Sequence, residues 1–165
     1  MEKRERPSWD EYFMFQAYLS ATRSSCLNLP NGCVIVKDKR VRASGYNGAP
    51  PGIENCLERG CRKADKGVAF DEKGKSICRG LHAEDNGLAQ LTREDTKGAT
   101  MYTVVFPCSA CAKDIAGSGI NEVVYSKAYK GEDELAKEIF EEAGIKIRKL
   151  EIDLNKCYNF IKNLK

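Results

Sequence analysis

Apolar and polar positions along the chain switch between a helical and an extended period, and the switches mark its elements. Residues 8–22 open with a helical pattern. Ser8 stands at an N-cap position, Asp10 and Glu11 set acids at the positive end of the helix dipole, and Tyr12, Phe13, Phe15, Ala17 and Leu19 supply apolar contacts. Asn31-Gly32 predicts a turn, Cys33-Val34-Ile35-Val36 a short buried strand, and Asp38-Lys39 a turn into a second strand from Val41 to Tyr46, so the pair reads as a hairpin. Asn47-Gly48-Ala49-Pro50-Pro51-Gly52 breaks the structure sharply. Residues 53–80 show no sustained period and read as a long loop carrying Cys56, Cys61 and Cys78.

Regularity returns after that loop. Leu81 to Thr92 has helical character, Ala99 to Phe106 reads as a central strand rich in β-branched and aromatic residues, and Cys108 to Ser118 reads as a helix closed by Gly117-Ser118-Gly119. Glu122 to Tyr125 is a further strand, Asp133 to Ala143 a helix ending at Gly144, and Ile145 to Leu150 an edge strand with charge on one face; residues 155–164 form a terminal helix. From about residue 80 the order is helix, strand, helix, strand, helix, strand. With the hairpin in front, this predicts an α/β fold: one sheet covered by helices on both faces, antiparallel at first and largely parallel later.

Composition limits the function classes. At 165 residues the chain suits one compact domain, residues 1–165, with a cysteine-containing insert at about 53–80. No apolar run approaches the roughly 18 residues of a membrane span, and the charged start Met1-Glu2-Lys3-Arg4-Glu5-Arg6 has no apolar segment behind it. A cytoplasmic protein without export signal or membrane contact is expected. The net charge of +3 is small and dispersed, which argues against a nucleic-acid partner but not against a small anionic substrate. Eight cysteines are the outlier, and in a reducing compartment metal ligation explains them better than disulfides.

His82 is the only histidine, two residues before Glu84 and upstream of Pro107-Cys108-Ser109-Ala110-Cys111. Cys108 and Cys111, three apart at a helix start, turn their sulfurs to one side, and the helix dipole favours their thiolates. His82 with these cysteines offers three ligands to a catalytic zinc whose fourth position stays open for water, and Glu84 is an acid beside the metal rather than on it. His-x-Glu followed by Pro-Cys-x-x-Cys is the signature of zinc-dependent nucleobase deaminases. The chemistry expected is attack of a zinc-activated water on an amine-bearing ring carbon, with Glu84 moving the protons.

At these residues the chain resembles the deoxycytidylate (dCMP) deaminase branch of the cytidine deaminase superfamily. The resemblance rests on His82-Ala83-Glu84-x-Asn86, on Pro107-Cys-x-x-Cys-Ala-Lys113 with Ser118-Gly119-Ile120, on Gly45-Tyr46-Asn47-Gly48-Ala49-Pro50, and on Trp9-x-x-Tyr12-Phe13 with Arg23-Ser24-Ser25-Cys26, over about residues 8–150. It implies a three-layer αβα sandwich around a five-stranded mixed sheet and conversion of dCMP to dUMP with release of ammonia, which supplies dUMP for thymidylate synthesis. It also implies assembly as a homo-oligomer, often a hexamer, and regulation by dCTP and dTTP through the segment at Asn47 and Gly48. By the same resemblance Asn47 and Ala83 contact the substrate, Arg23 approaches its phosphate and Tyr129 lies against its base or sugar. A guanidinium is in any case suited to clamp a phosphate. The chain departs from the family pattern at Asp85 and at Gly87-Leu88, where Gly87 costs helix stability.

Relatives in this branch also carry a second, structural zinc, for which Cys26 and Cys56 look like ligands, with Cys61 and Cys78 able to complete a tetrahedron that pins the insert to the end of the first helix. Cys33 reads as a small core residue, and Cys157 has no assigned role. Two alternatives remain at this level: a related deaminase acting on another cytosine nucleoside or nucleotide (cytidine, dCTP or a modified dCMP), and a zinc-stabilised nucleotide sensor without catalysis.

Overall fold

The computed structural model describes residues 5–70, 72 and 77–164; part of the insert, residues 71 and 73–76, the first four residues and the last lie outside the described residues. The chain runs α1 (Trp9–Ala21), β1 (Gly32–Lys37), β2 (Arg40–Tyr46), α2 (Cys56–Arg59), α3 (Arg62–Asp65), α4 (Ala83–Leu88), α5 (Arg93–Thr96), β3 (Thr100–Val105), α6 (Ser109–Ser118), β4 (Glu122–Lys127), α7 (Glu134–Glu142), β5 (Lys146–Lys149) and α8 (Leu154–Lys162). The five strands form one sheet in the order β2-β1-β3-β4-β5. β1 is antiparallel to β2 and β3, whereas β3, β4 and β5 are parallel, so the sheet is mixed in the expected sense.

Alternation along the strands sends side chains into two cores. Cys33, Ile35, Met101, Val123 and Tyr125 face one side, with Ala83 of α4, Cys111 and Ile115 of α6 and Phe140 of α7. Val34, Val36, Tyr102, Val104 and Val124 face the other, against Phe13, Met14, Ala17 and Ala21 of α1. The α8 helix packs on α1, and its Lys156 Nζ donates to Glu11 at 2.9 Å. The result is helix, sheet, helix.

Two glycines let helices lie directly on the strands. A Cβ at Gly32 would stand 2.3 Å from the Ala17 carbonyl oxygen, and one at Gly45 would stand 2.1 Å from the Ala83 carbonyl oxygen and 2.6 Å from the Gly87 nitrogen. The second contact brings α4 flush against β2. Gly87 therefore has a packing reason that offsets its poor helix propensity, with Cys33 Sγ 3.1 Å from where its Cβ would be.

Two expectations needed revision. Residues 81–92 are not one helix: Leu81 is held in a two-way bridge to Gly48, His82 caps α4, and the helix ends at Leu88 before the separate turn of α5. The insert is not wholly irregular either. Asn55 Oδ1 accepts from Leu57 N at 2.9 Å while Glu58 Oε2 accepts from Asn55 N at 3.2 Å, a capping arrangement that nucleates α2.

β5 is tied to α1 by a two-pronged ion pair. Arg148 donates through Nη1 to Asp10 Oδ2 at 2.8 Å and through Nη2 to Asp10 Oδ1 at 3.1 Å, and Tyr102 Oη donates to the same Oδ1 at 2.7 Å. The Arg148 fork chiefly holds the Asp10 carboxyl below its ordinary value of 3.8, outweighing partial burial, and Tyr102 assists. A depressed folded pKa stabilises the protein above the unfolded value, and that contribution disappears as pH falls through the folded one. Asp10→Asn should cost about 1 kcal/mol at pH 7, allowing for the pair's partial exposure. In urea denaturation from pH 7 down to pH 2 the gap between variant and wild type should narrow below about pH 4; a gap independent of pH would remove Asp10 from the acid limb.

Candidate zinc-dependent active site

Two helix N-termini supply the site. His82 is the N-cap of α4 and Cys108 the N-cap of α6, and Cys111 lies one turn into α6. Pro107 stops β3 just before Cys108, so both cysteines follow directly on the carboxyl end of the central strand. His82 Nδ1 lies 3.1 Å from Cys111 Sγ and 3.5 Å from Cys108 Sγ, and the two sulfurs are 3.7 Å apart. Among the described residues, no other group of three or more His, Cys, Asp or Glu side chains brings its donor atoms within 4.8 Å of one another.

The trio fits zinc. Tetrahedral bonds of about 2.3 Å to sulfur and about 2.0 Å to nitrogen put sulfurs about 3.8 Å apart and nitrogen about 3.5 Å from each sulfur. Two of the three observed separations match, and the third is a few tenths of an ångström short. The electrostatics favour the ligating form at Cys108 but not, before a metal binds, at Cys111 or His82, so the thiolate expected at both cysteines is found at one. The hydrogen bond shared with Cys111, and then His82, hold the Cys108 thiol well below its ordinary range, at about 3. Its neighbour Cys111 is pushed up by that same bond and by burial. Its interaction with Cys108 raises the His82 pKa.

Glu84 stands beside the trio with 2% exposure. Its Oε2 is 3.7 Å from Cys111 Sγ, while its Oε1 accepts from Asn31 Nδ2 and from Thr103 Oγ1, each at 3.2 Å. Burial raises its carboxyl pKa against the pull of His82. A carboxyl tuned upward in this way is suited to hold a proton and return it. Neither Asn31 nor Thr103 was singled out in the sequence. Asn31 read as a turn residue and Thr103 as a strand residue, and only the pairing of Cys33 with Thr103 brings the start of β1 beside the end of β3.

His82, Glu84 and Cys108 form one wall of a cavity of about 650 Å³. Asn47, Phe70 and Tyr129 face it from other sides, with the rings of Phe70 and Tyr129 edge to face at 5.9 Å.

The protein family described as "Cytidine and deoxycytidylate deaminase zinc-binding region" matches residues 7–127. The chain belongs to that family. It is 43% identical over 144 residues to the deoxycytidylate deaminase of Saccharomyces cerevisiae, covering 87% of this chain but only 45% of the yeast protein. It is 48% identical over 124 residues to the deoxycytidylate deaminase of Mycobacterium phage D29, covering 74% of this chain and 97% of the phage protein. The chain thus spans under half the length of the yeast relative and nearly all of the phage one. Its fold is similar to the crystal structure of dCMP deaminase from the cyanophage S-TIM5 in complex with dCMP and dUMP, with a TM-score of 0.70, 25% identity, and coverage of 89% of this chain and 100% of that one.

The other expected site residues are placed unevenly. Ala83, Asn47, Gly48 and Tyr129 line the cavity. Asn47 is also an internal tie: its Oδ1 accepts from Ser24 Oγ at 2.6 Å and from Asn31 N at 2.8 Å, and its Nδ2 donates to the Leu29 carbonyl at 2.8 Å. Arg23 is exposed on the turn after α1 and is not among the residues lining the cavity. Lys63 and Lys130 do line it, with Lys63 Nζ donating to the Phe70 and Glu72 carbonyls at 2.8 and 2.7 Å. Cys26, Cys56 and Cys78 line the same cavity, but these sulfurs and that of Cys61 do not close to the spacing seen in the His82 trio. No helix among the described residues is long and apolar enough to cross a membrane.

His82→Ala, Cys108→Ser and Cys111→Ser should each lower the zinc content by one ion per chain. Cys157→Ala, whose thiol is buried in α8, should not. Elemental analysis of purified protein reads both, and a full zinc complement in Cys111→Ser would break the assignment.

Proposed function

We propose that the chain catalyses the zinc-dependent hydrolysis of dCMP to dUMP and ammonia. The observation that carries this reading is a buried carboxylate, Glu84, held beside a three-donor zinc set at the wall of a nucleotide-sized cavity. Zinc bound by His82, Cys108 and Cys111 would supply acidification and orientation of the attacking water. Glu84 takes a proton from that water and passes it to ring N3 as oxygen bonds to C4. It then carries the proton of the new C4 hydroxyl to the amino nitrogen, the C4–N bond breaks, and ammonia leaves as the C4 carbonyl forms. Water and dCMP thus become dUMP and ammonia with no other reactant. The relatives named deoxycytidylate deaminase, at 43% and 48% identity, support dCMP as the substrate.

The finer contacts belong to the same proposal. Ala83, Asn47 and Tyr129 would meet the nucleotide from the cavity wall. Arg23 would reach a phosphate only outside that cavity. A cytoplasmic setting, a homo-oligomer of the hexameric kind frequent in the family, and regulation by dCTP and dTTP at Asn47 and Gly48 rest on the family resemblance.

A second zinc on Cys26, Cys56, Cys61 and Cys78 has local support. The Leu29 and Gly80 amides donate to the sulfurs of Cys26 and Cys78 at 3.4 and 3.3 Å. Burial chiefly raises the Cys56 thiol pKa, and the neighbouring Cys78, Cys61 and Cys26 add to it, as closely set thiols must. Elemental analysis should return two zinc ions per chain; a value of one would remove the second site and leave the first intact.

Ammonia release should be faster from dCMP than from cytidine, dCTP or a tRNA anticodon stem, and repeating the assay with added dCTP or dTTP reads the regulatory part. Preference for the unphosphorylated nucleoside would overturn the substrate. Glu84→Ala should keep its catalytic zinc and lose turnover by about 10²–10⁴-fold. Turnover retained in that variant would favour a binding or sensing role for the carboxylate.

A further inference from the structure

The two oxygens of Glu84 have unlike surroundings. Oε1 is turned to Asn31 Nδ2 and Thr103 Oγ1, both at 3.2 Å, while Oε2 faces the metal-ligand trio 3.7 Å from Cys111 Sγ. The Asn31 side chain, on a residue only 8% exposed, has one possible orientation. Its Oδ1 accepts from Gly32 N at 2.9 Å and from Val105 N at 3.1 Å, so a flipped amide would set its own donors against two backbone donors. Nδ2 must therefore point at Glu84. The backbone of Asn31 is fixed as well, because its N donates to Asn47 Oδ1 at 2.8 Å and its carbonyl accepts from Asn47 N at 3.1 Å.

Thr103 is a weaker anchor. Its hydroxyl has one proton and two acceptors in reach, Glu84 Oε1 and the Val105 carbonyl at 3.1 Å, so it serves one at a time.

We propose that Asn31 is a positioning residue that anchors Glu84 Oε1 and thereby leaves Oε2 alone to carry protons. This rests on the reading of Glu84 as the proton carrier. The terminal torsion of a glutamate is broad, and a carboxylate free to turn about it presents its oxygens in many directions. A general base must instead sit within hydrogen-bond reach of the proton it takes, and small misplacement at such a site costs much of the rate. Asn31 acts in both protonation states, since Oε1 accepts its hydrogen bond whether or not Oε2 holds a proton. Thr103 supports the same oxygen.

Asn31→Asp is the informative variant. It keeps an oxygen for the Gly32 and Val105 amides and replaces the neutral donor facing Glu84 with a carboxyl that must share a proton with it, so Glu84 Oε1 loses its fixed donor. Zinc content and KM for dCMP should stay near wild type while kcat falls about 10–100-fold, the usual cost of losing an outer-shell partner. Thr103→Val should lower kcat by about fivefold, the worth of one neutral hydrogen bond. An unchanged kcat in Asn31→Asp, or an effect on KM alone, would overturn the proposal.

A readout that needs no turnover uses the zinc-loaded, ¹⁵N-labelled protein. The Asn31 side-chain amide protons should be protected from solvent exchange and should shift in Glu84→Ala. Rapid exchange with no response to Glu84→Ala would overturn the proposal even if Asn31→Asp failed to fold. A wild-type protein inactive on dCMP would refute the substrate, and the amide measurement would still decide the role of Asn31.

Discussion

The burial of Glu84 is the constraint around which the rest of the structure is arranged. An ionised carboxylate removed from water costs several kcal/mol unless charge and hydrogen bonds replace its hydration. Here the replacement comes from both sides of one group: Asn31 and Thr103 at Oε1, and the Cys111 thiol at Oε2, with the nearby His82 favouring the charged form. Each of these partners is delivered by a separate piece of the fold. The register that pairs Cys33 with Thr103 sets Asn31, just ahead of β1, beside Val105 at the end of β3. The stop at Pro107 then turns the chain into α6, with Cys108 and Cys111 next to the carboxylate.

The helix that carries Glu84 must also lie very close to the sheet, and a side chain at Gly45 would prevent it. At the 2.1 Å separation from the Ala83 carbonyl that a Cβ there would have, either α4 or β2 would have to move. Ala83 is held in the same way from the β1 side, where the buried Cys33 Sγ donates to its carbonyl at 3.2 Å. The α4 helix has only six residues and weak internal propensity, so its place is set by these contacts rather than by its own hydrogen bonds. Gly87 and Cys33 are thus part of how the geometry around Glu84 is held.

Much of this was legible in the chain because its signals are local. The apolar run Cys33–Val36, the β-branched and aromatic residues of Ala99–Phe106, the Gly119 stop after α6 and the Ser8 cap all act within a few residues, and the observed elements follow them. The His82, Glu84, Cys108 and Cys111 pattern was equally plain, since its spacing is fixed by two helix starts. What escaped notice depends on sheet register. Asn31 beside Gly32 has the form of a turn, and only the β1–β3 pairing reveals it as a partner of a glutamate 53 residues away. The insert misled for the opposite reason: its charges and cysteines hid a short cap at Asn55 that makes a single helical turn. Arg23 was legible as a phosphate-binding type of residue, but residue type does not say which side of a turn faces the cavity.

Asn47 joins these themes. The family resemblance assigns it to the nucleotide, and it does line the cavity, yet its side chain is spent on Ser24, Leu29 and Asn31. Through those three bonds it ties the end of α1, the segment before β1 and the cavity wall into one unit. Asn31 belongs to that unit by its backbone and to Glu84 by its side chain, so two hydrogen-bonded steps separate the cavity wall at Asn47 from the carboxylate. The Asn31 backbone therefore stands between the cavity wall at Asn47 and Oε1. The amide of Asn31 has a fixed sense there, because its Oδ1 is held by the amides of Gly32 and Val105 and only its Nδ2 faces the acid.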